Sequence, residues 1–184
     1  MANLKRRPFL GAALAGIPFG LMSRPLPASS AAKIPAVRNG EDRAGERHTI
    51  GVSSTGFKVL TKDTDGGLFV IEHTNRAKGG PPRHLHHGED EWFYAVEGRY
   101  VVEVASERYE VNAGDSILAP RGVPHAWAFA GETVGRMVIA FAPAGKMEAF
   151  FRDNEKRLKG SQYSNDAEMY RAYGLELLGP PLEV

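Results

Sequence analysis

The sequence predicts an all-β domain, a single small antiparallel β-barrel followed by C-terminal helices, on three observations. Its apolar runs are short, at 57–60, 68–71, 92–96, 100–105, 116–119, 126–130 and 134–142. Turn residues bound them, as in Asp65-Gly66-Gly67, Gly79-Gly80-Pro81-Pro82, Asn112-Ala113-Gly114-Asp115 and Pro120-Arg121-Gly122. Short runs rich in Val, Phe, Tyr and Trp, punctuated in this way, read as strands of an antiparallel sandwich or barrel. Helical spacing is confined to the end of the chain. There 146–158 carries Met147, Phe150, Phe151 and Leu158, and 165–173 opens on Asn165 and Glu168 in a capping pattern. These helices are expected to cover the outside of the barrel.

The chain has 184 residues, 23 Lys+Arg against 22 Asp+Glu, 21 Gly, 12 Pro and no Cys. Without cysteine there is no disulfide framework and no thiolate chemistry, so a metal site must use imidazole nitrogen and carboxylate oxygen. A net charge of +1, with no basic run beyond Lys5-Arg6-Arg7, gives no electrostatic footprint for a nucleic acid.

The N-terminus reads as an address. Residues 1–32 hold Lys5, Arg6, Arg7 and Arg24 and no acid; a mildly apolar stretch at 9–22 is followed by small residues at 28–32. That is the layout of a signal peptide, and the stretch is too short to span a bilayer comfortably. Lys5-Arg6-Arg7-Pro8-Phe9-Leu10 also resembles the twin-arginine export signal. A cut after Ala32 would leave a chain of net charge −3, exported to the periplasm and without a stable membrane span. Residues 33–56 are expected to form an extended arm or linker, 57–145 the barrel, and 146–184 a C-terminal helical extension.

The chemistry concentrates between Gly79 and His125. His84 and His86 are two apart, so on a strand both rings project to one face, and His87 points the other way. Glu91 follows a turn at Gly88-Glu89-Asp90 and shares parity with Phe93 and Ala95, the more apolar set. It is placed to deliver a carboxylate to the same region, with Glu89 or Asp90 as alternatives if the turn is read differently. A second segment, 114–125, is a strand between tight turns that ends in His125. Imidazoles facing inward from separate strands are costly to bury unless a metal or a hydrogen-bond network satisfies them. By parity with His125, Trp127 and Phe129 also face inward. With Phe93 they would form an aromatic wall for a flat ligand, or simply fill the barrel. His48 and His73 have no partner at useful spacing. Arg83 and Arg121 flank the two histidine segments, either lining a mouth that attracts anions or simply solvated.

These segments resemble the cupin family. Gly79, His84, His86, Glu91 and Gly98 fit its first motif; Gly114, Pro120, Gly122 and His125 fit its second, with Phe129 standing where the pattern has Asn. The fifteen residues between Gly98 and Gly114 suit a single-domain member. The resemblance implies a jelly-roll barrel holding one divalent transition metal on His84, His86, Glu91 and His125. Such a nitrogen-rich set suits Fe, Mn, Co, Ni, Cu or Zn. The run from Pro81 to Gly98 and the Phe150-Phe151 helix look most like quercetin-dioxygenase-like cupins. That resemblance implies a dioxygenase for a small aromatic or enolic compound, with Glu91 as catalytic base as well as ligand. A metal-assisted isomerase or decarboxylase, or a non-catalytic binding protein, are the alternatives. It further implies a homodimer and a small-molecule ligand.

Overall fold

In the computed structural model the described residues are 35–46, 48–50, 53–158 and 165–184. The export signal expected at 1–32 lies outside them. Two antiparallel sheets carry the domain. The first is six-stranded, in the order β1 (His48–Ile50), β2 (Ser53–Val59), β3 (Phe69–Asn75), β10 (Gly135–Ala142), β5 (Asp90–Glu97), β8 (Ser116–Ala119). The second is five-stranded, in the order β11 (Leu175–Pro181), β4 (Pro82–His86), β9 (His125–Phe129), β6 (Arg99–Val104), β7 (Glu107–Asn112). This is the all-β jelly-roll architecture expected, built as two sheets rather than one continuously hydrogen-bonded cylinder. Two helices, α1 (Met147–Leu158) and α2 (Ala167–Ala172), precede the last strand.

Strand alternation decides what each sheet buries. In β3 the buried residues are Phe69, Ile71, His73 and Asn75; in β10 they are Gly135, Met137, Ile139 and Phe141; in β5 they are Glu91, Phe93 and Ala95. The pairing of β10 with both neighbours aligns these residues into inward rows. Phe69, Phe141 and Glu91 share one row, Ile71, Ile139 and Phe93 the next, and His73, Met137 and Ala95 the third. Glu91 is thus a carboxylate in an apolar row, a position that demands a positive partner.

In the other sheet β9 is buried at all five positions, so Ala126 and Ala128 are covered as fully as their inward neighbours. Gly80 permits the close approach of the β4 segment to β9, since a Cβ there would overlap the Trp127 carbonyl oxygen. Adjacent to it, Gly79 and Phe129 exchange backbone bonds of 3.0 and 2.9 Å.

The domain extends beyond the expected limits of 57–145 at both ends. The segment at 33–56 contributes β1 and the start of β2 to the sheet, and the C-terminal extension ends in β11, which pairs with β4. The polar run Glu107–Asn112 is a strand as well, at the sheet edge, where only Val111 is buried. The N-cap of α2 is Asp166 rather than Asn165: its Oδ1 accepts from the amides of Glu168 at 3.0 Å and Met169 at 3.1 Å. The helices are part of the core, with Met147, Phe150, Met169 and Tyr170 all buried. Among the described residues no helix is long and apolar enough to cross a membrane.

Candidate metal centre

Three strands from both sheets bring the ligand set together. His84 on β4 and His125 on β9 are cross-strand partners, and His86 follows two residues on, toward the same face. Glu91 on β5 reaches them from the opposite sheet. One ligand atom from each of the four residues lies within 4.8 Å of the others, and all four residues are buried.

Hydrogen bonds orient the rings. His84 Nδ1 sits 2.7 Å from the Pro82 carbonyl and His125 Nδ1 sits 3.0 Å from that of Val123. A carbonyl only accepts, so each Nδ1 carries the proton and donates it. That turns the Nε2 side of both rings inward, the arrangement in which an outer acceptor fixes the tautomer of a ligating histidine. His86 differs: its Nδ1 faces the buried carboxylate of Glu89 at 3.6 Å, beyond hydrogen-bond reach. The three Nε2 atoms then converge on a single oxygen, Glu91 Oε2, at 3.9 Å (His84), 3.1 Å (His86) and 2.8 Å (His125). His86 Nε2 has no hydrogen-bond partner despite its burial.

The electrostatics follow from burial and crowding. Burial, then the neighbouring His125 and His86, push His84 down to about 3. Burial also acts to lower His86, but the adjacent carboxylates of Glu89 and Glu91 outweigh it and raise the ring to about 9. Burial works to raise Glu91, yet the hydrogen bond it accepts from His125 and the nearby His86 ring hold it well below the usual carboxylate range. An anionic oxygen facing a neutral imidazole lone pair and an unpartnered nitrogen is a donor set that fits a divalent transition cation. Its three nitrogens and one oxygen disfavour Mg²⁺ or Ca²⁺, which take oxygen shells.

A cavity of about 40 Å³ adjoins the cluster; its walls include Trp127, Phe141, Met147, Phe150, Phe151 and Tyr170. Of the three expected pocket residues only Trp127 lines it. Phe93 is buried behind the ligands, its ring centroid 6.1 Å from that of His125. Phe129 packs on Tyr100 with ring centroids 5.4 Å apart, at the far end of β9. Its ring occupies space left open by Gly98, Gly131 and Gly135, where any Cβ would crowd it. Phe129 faces inward as its parity predicts, but four residues at about 3.3 Å each carry it roughly 13 Å along the strand from His125.

His73 lines the cavity, buried, with Nδ1 3.0 Å from Thr55 Oγ1 and its ring edge-on to Trp127. It shares parity with Phe69 and Ile71, a signal available in the sequence. Asn154 on α1 also lines the cavity, on the helix face of Met147, Phe150 and Phe151. His48 is buried away from the cluster, 2.7 Å from Glu155 and stacked on Phe57. His87 is exposed, as its parity required. Arg83 pairs with Glu103, and Arg121 with Asp90 at 2.8 Å, so neither lines the cavity.

The fold and site define a β-domain whose buried His84, His86, Glu91 and His125 could hold a metal ion beside a small apolar cavity. Residues 73–141 match the family model described as Cupin domain. Among solved structures, KdgF from Halomonas sp. superposes with a TM-score of 0.51 at 20% identity, covering 59% of this chain and 93% of that one. An RmlC-like cupin from Shewanella frigidimarina gives 0.47 at 25% identity, with 56% and 87% covered. The nucleoside dehydratase Pac13 from Streptomyces gives 0.45 at 20%, with 53% and 75% covered. No curated protein matches the chain.

Proposed function

We propose that this chain is an exported, metal-dependent dioxygenase acting on a small aromatic or enolic compound. The observation that carries the reading is the convergence of three imidazole Nε2 atoms and the Glu91 carboxylate beside an apolar cavity. His84, His86, His125 and Glu91 would hold the ion. Bound there, a redox-active transition metal supplies Lewis acidity toward an enol or phenol oxygen and electron transfer with dioxygen.

The rest is the work of the chain's own groups. Glu91 Oε2, kept anionic by its histidine partners, accepts the proton of the substrate hydroxyl. Backbone carbonyls fix the rings of His84 and His125 from behind, and the Glu89 carboxylate lies behind that of His86. Trp127, Phe141 and Phe150 exclude bulk water, which strengthens every charge interaction within. The cavity as it stands is smaller than the roughly 150 Å³ that holds a benzene ring. A one-ring compound therefore enters only as the wall of Phe150, Phe151 and Tyr170 gives way, and larger flavonols are disfavoured.

The test combines metal analysis of protein purified without chelator with oxygen uptake on a catechol and flavonol panel. The expected result is close to one transition-metal ion per chain, with uptake abolished by Glu91→Gln and by His84→Ala. Uptake unchanged in both variants would refute the mechanism. The same carboxylate can move a proton without dioxygen, which favours an isomerase or decarboxylase as a second reading; turnover undiminished under argon would select it. Ligand-induced thermal stabilisation without turnover would select a binding protein. N-terminal sequencing of exported material and its sedimentation mass test two further parts of the proposal, export and homodimer formation.

A further inference from the structure

The face of α1 toward the core carries Met147, Phe150, Phe151 and Asn154, the i, i+3, i+4, i+7 spacing of an apolar stripe with one amide in it. Asn154 is 2% exposed, and its Oδ1 has no hydrogen-bond partner. Buried carboxamides are nearly always satisfied, and one that is not is destabilising where it stands. A leucine would fill the position with no such cost. The amide lies in the wall of the same cavity as His84, His86 and Glu91, which makes it a hydrogen-bonding feature in a wall otherwise rich in apolar side chains.

We propose that Asn154 is a substrate-recognition residue: its carboxamide oxygen accepts a hydrogen bond from a hydroxyl or N–H on the small compound whose oxygen reaches the metal ligands. The proposal rests on the metal-site reading above and narrows its substrate class. The ligand is a compact, mainly apolar molecule with a metal-seeking vicinal oxygen pair and, apart from it, one hydrogen-bond donor. Sites that satisfy a polar group through the substrate discriminate sharply against analogues lacking it, because the protein group is then left unpaired. Asn154 would supply this selectivity from a helix, while the ligands sit on strands.

The experiment compares wild type, Asn154→Leu and Asn154→Asp as full chains, with catechol, pyrogallol and 1,2,4-trihydroxybenzene as probes. Thermal midpoint, metal per chain and probe affinity are read for each. Wild type is expected to bind at least one trihydroxy probe about tenfold or more tightly than catechol. Asn154→Leu should melt at or above the wild-type temperature, keep wild-type metal content and lose that preference, while Asn154→Asp, which retains an acceptor, keeps it. The proposal is overturned if Asn154→Leu melts several degrees lower, if it keeps the hydroxyl preference, or if wild type shows none. Metal per chain in wild type judges the metal reading separately, since the affinity ratio between probes is defined with or without the ion.

Discussion

His73 shows how one buried side chain ties this fold to pH. Burial pushes its imidazole down to about 4, so the folded protein keeps the ring neutral where the unfolded chain, near 6.5, has taken up a proton. Between those values the unfolded state binds more protons, and stability falls as pH falls. The contribution is fully retained above about pH 6.5; roughly 2 kcal/mol is lost by pH 5 and about 3 by pH 4. His84 adds a loss of the same sign, so the measurement is a difference. Denaturant unfolding of metal-free wild type and His73→Asn should diverge in pH dependence across this window, wild type losing more; parallel curves would show that His73 does not contribute. The residue was readable in principle, because Phe69, Ile71 and His73 alternate with polar neighbours. No second histidine stands at ligand spacing to single it out. The four clustered residues were legible for the opposite reason: a period of two makes His84 and His86 neighbours in space from sequence alone. The sequence offers Glu89 only as a substitute for Glu91 and gives no sign of Asn154, since their positions arise where a turn and a distant helix meet the cluster.

At the level of elements, strands with one buried face declared themselves, and strands without one did not. Glu107–Asn112 buries only Val111, so no alternation marks it. Leu175–Pro181 carries two prolines and a glycine, which read as a tail until β4 is there to pair with it. Helix α1 was legible through its stripe, but what fastens it was not. Glu155 accepts the Thr49 amide at 3.0 Å and lies 2.7 Å from His48 Nδ1, joining the helix to β1. Arg152 adds contacts to Glu46 at 2.5 Å and Glu148 at 3.1 Å. Charged hydrogen bonds at a partly exposed position contribute about 1–2 kcal/mol. Glu155→Ala is therefore expected to cost that much in denaturant unfolding and to speed amide exchange across α1, leaving β5 and β10 unchanged. Equal exchange rates in α1 before and after the substitution would show that apolar packing alone holds the helix.

Across the whole molecule, the site depends on the last strand of the chain. β4 carries two of the ligands, and on one side its ladder to β9 is the single pair His84 with His125. On the other side β11 supplies Leu175 opposite His86, Leu177 opposite His84 and Pro181 opposite Pro82. Leu175 is 1% exposed, and burying such a side chain stabilises by about 1.5–3 kcal/mol. Deleting residues 175–184 would remove this packing and leave β4 as an open edge, with unpaired backbone groups next to the ligands. The truncated chain is expected to melt roughly 5–12 °C below wild type and to bind Zn²⁺ at least about 100-fold more weakly. The sheet built on β3, β10 and β5 shares no pairing with β11, so its slowest-exchanging amides should remain protected relative to those of β4. Leu178→Ala, at a 40% exposed position, controls for a mere change of tail composition and should match wild type. A truncated chain with wild-type Zn²⁺ affinity and a melting temperature within about 2 °C of the intact protein would mean that β4 is positioned by the β9 contact and the Gly79–Phe129 bridge alone.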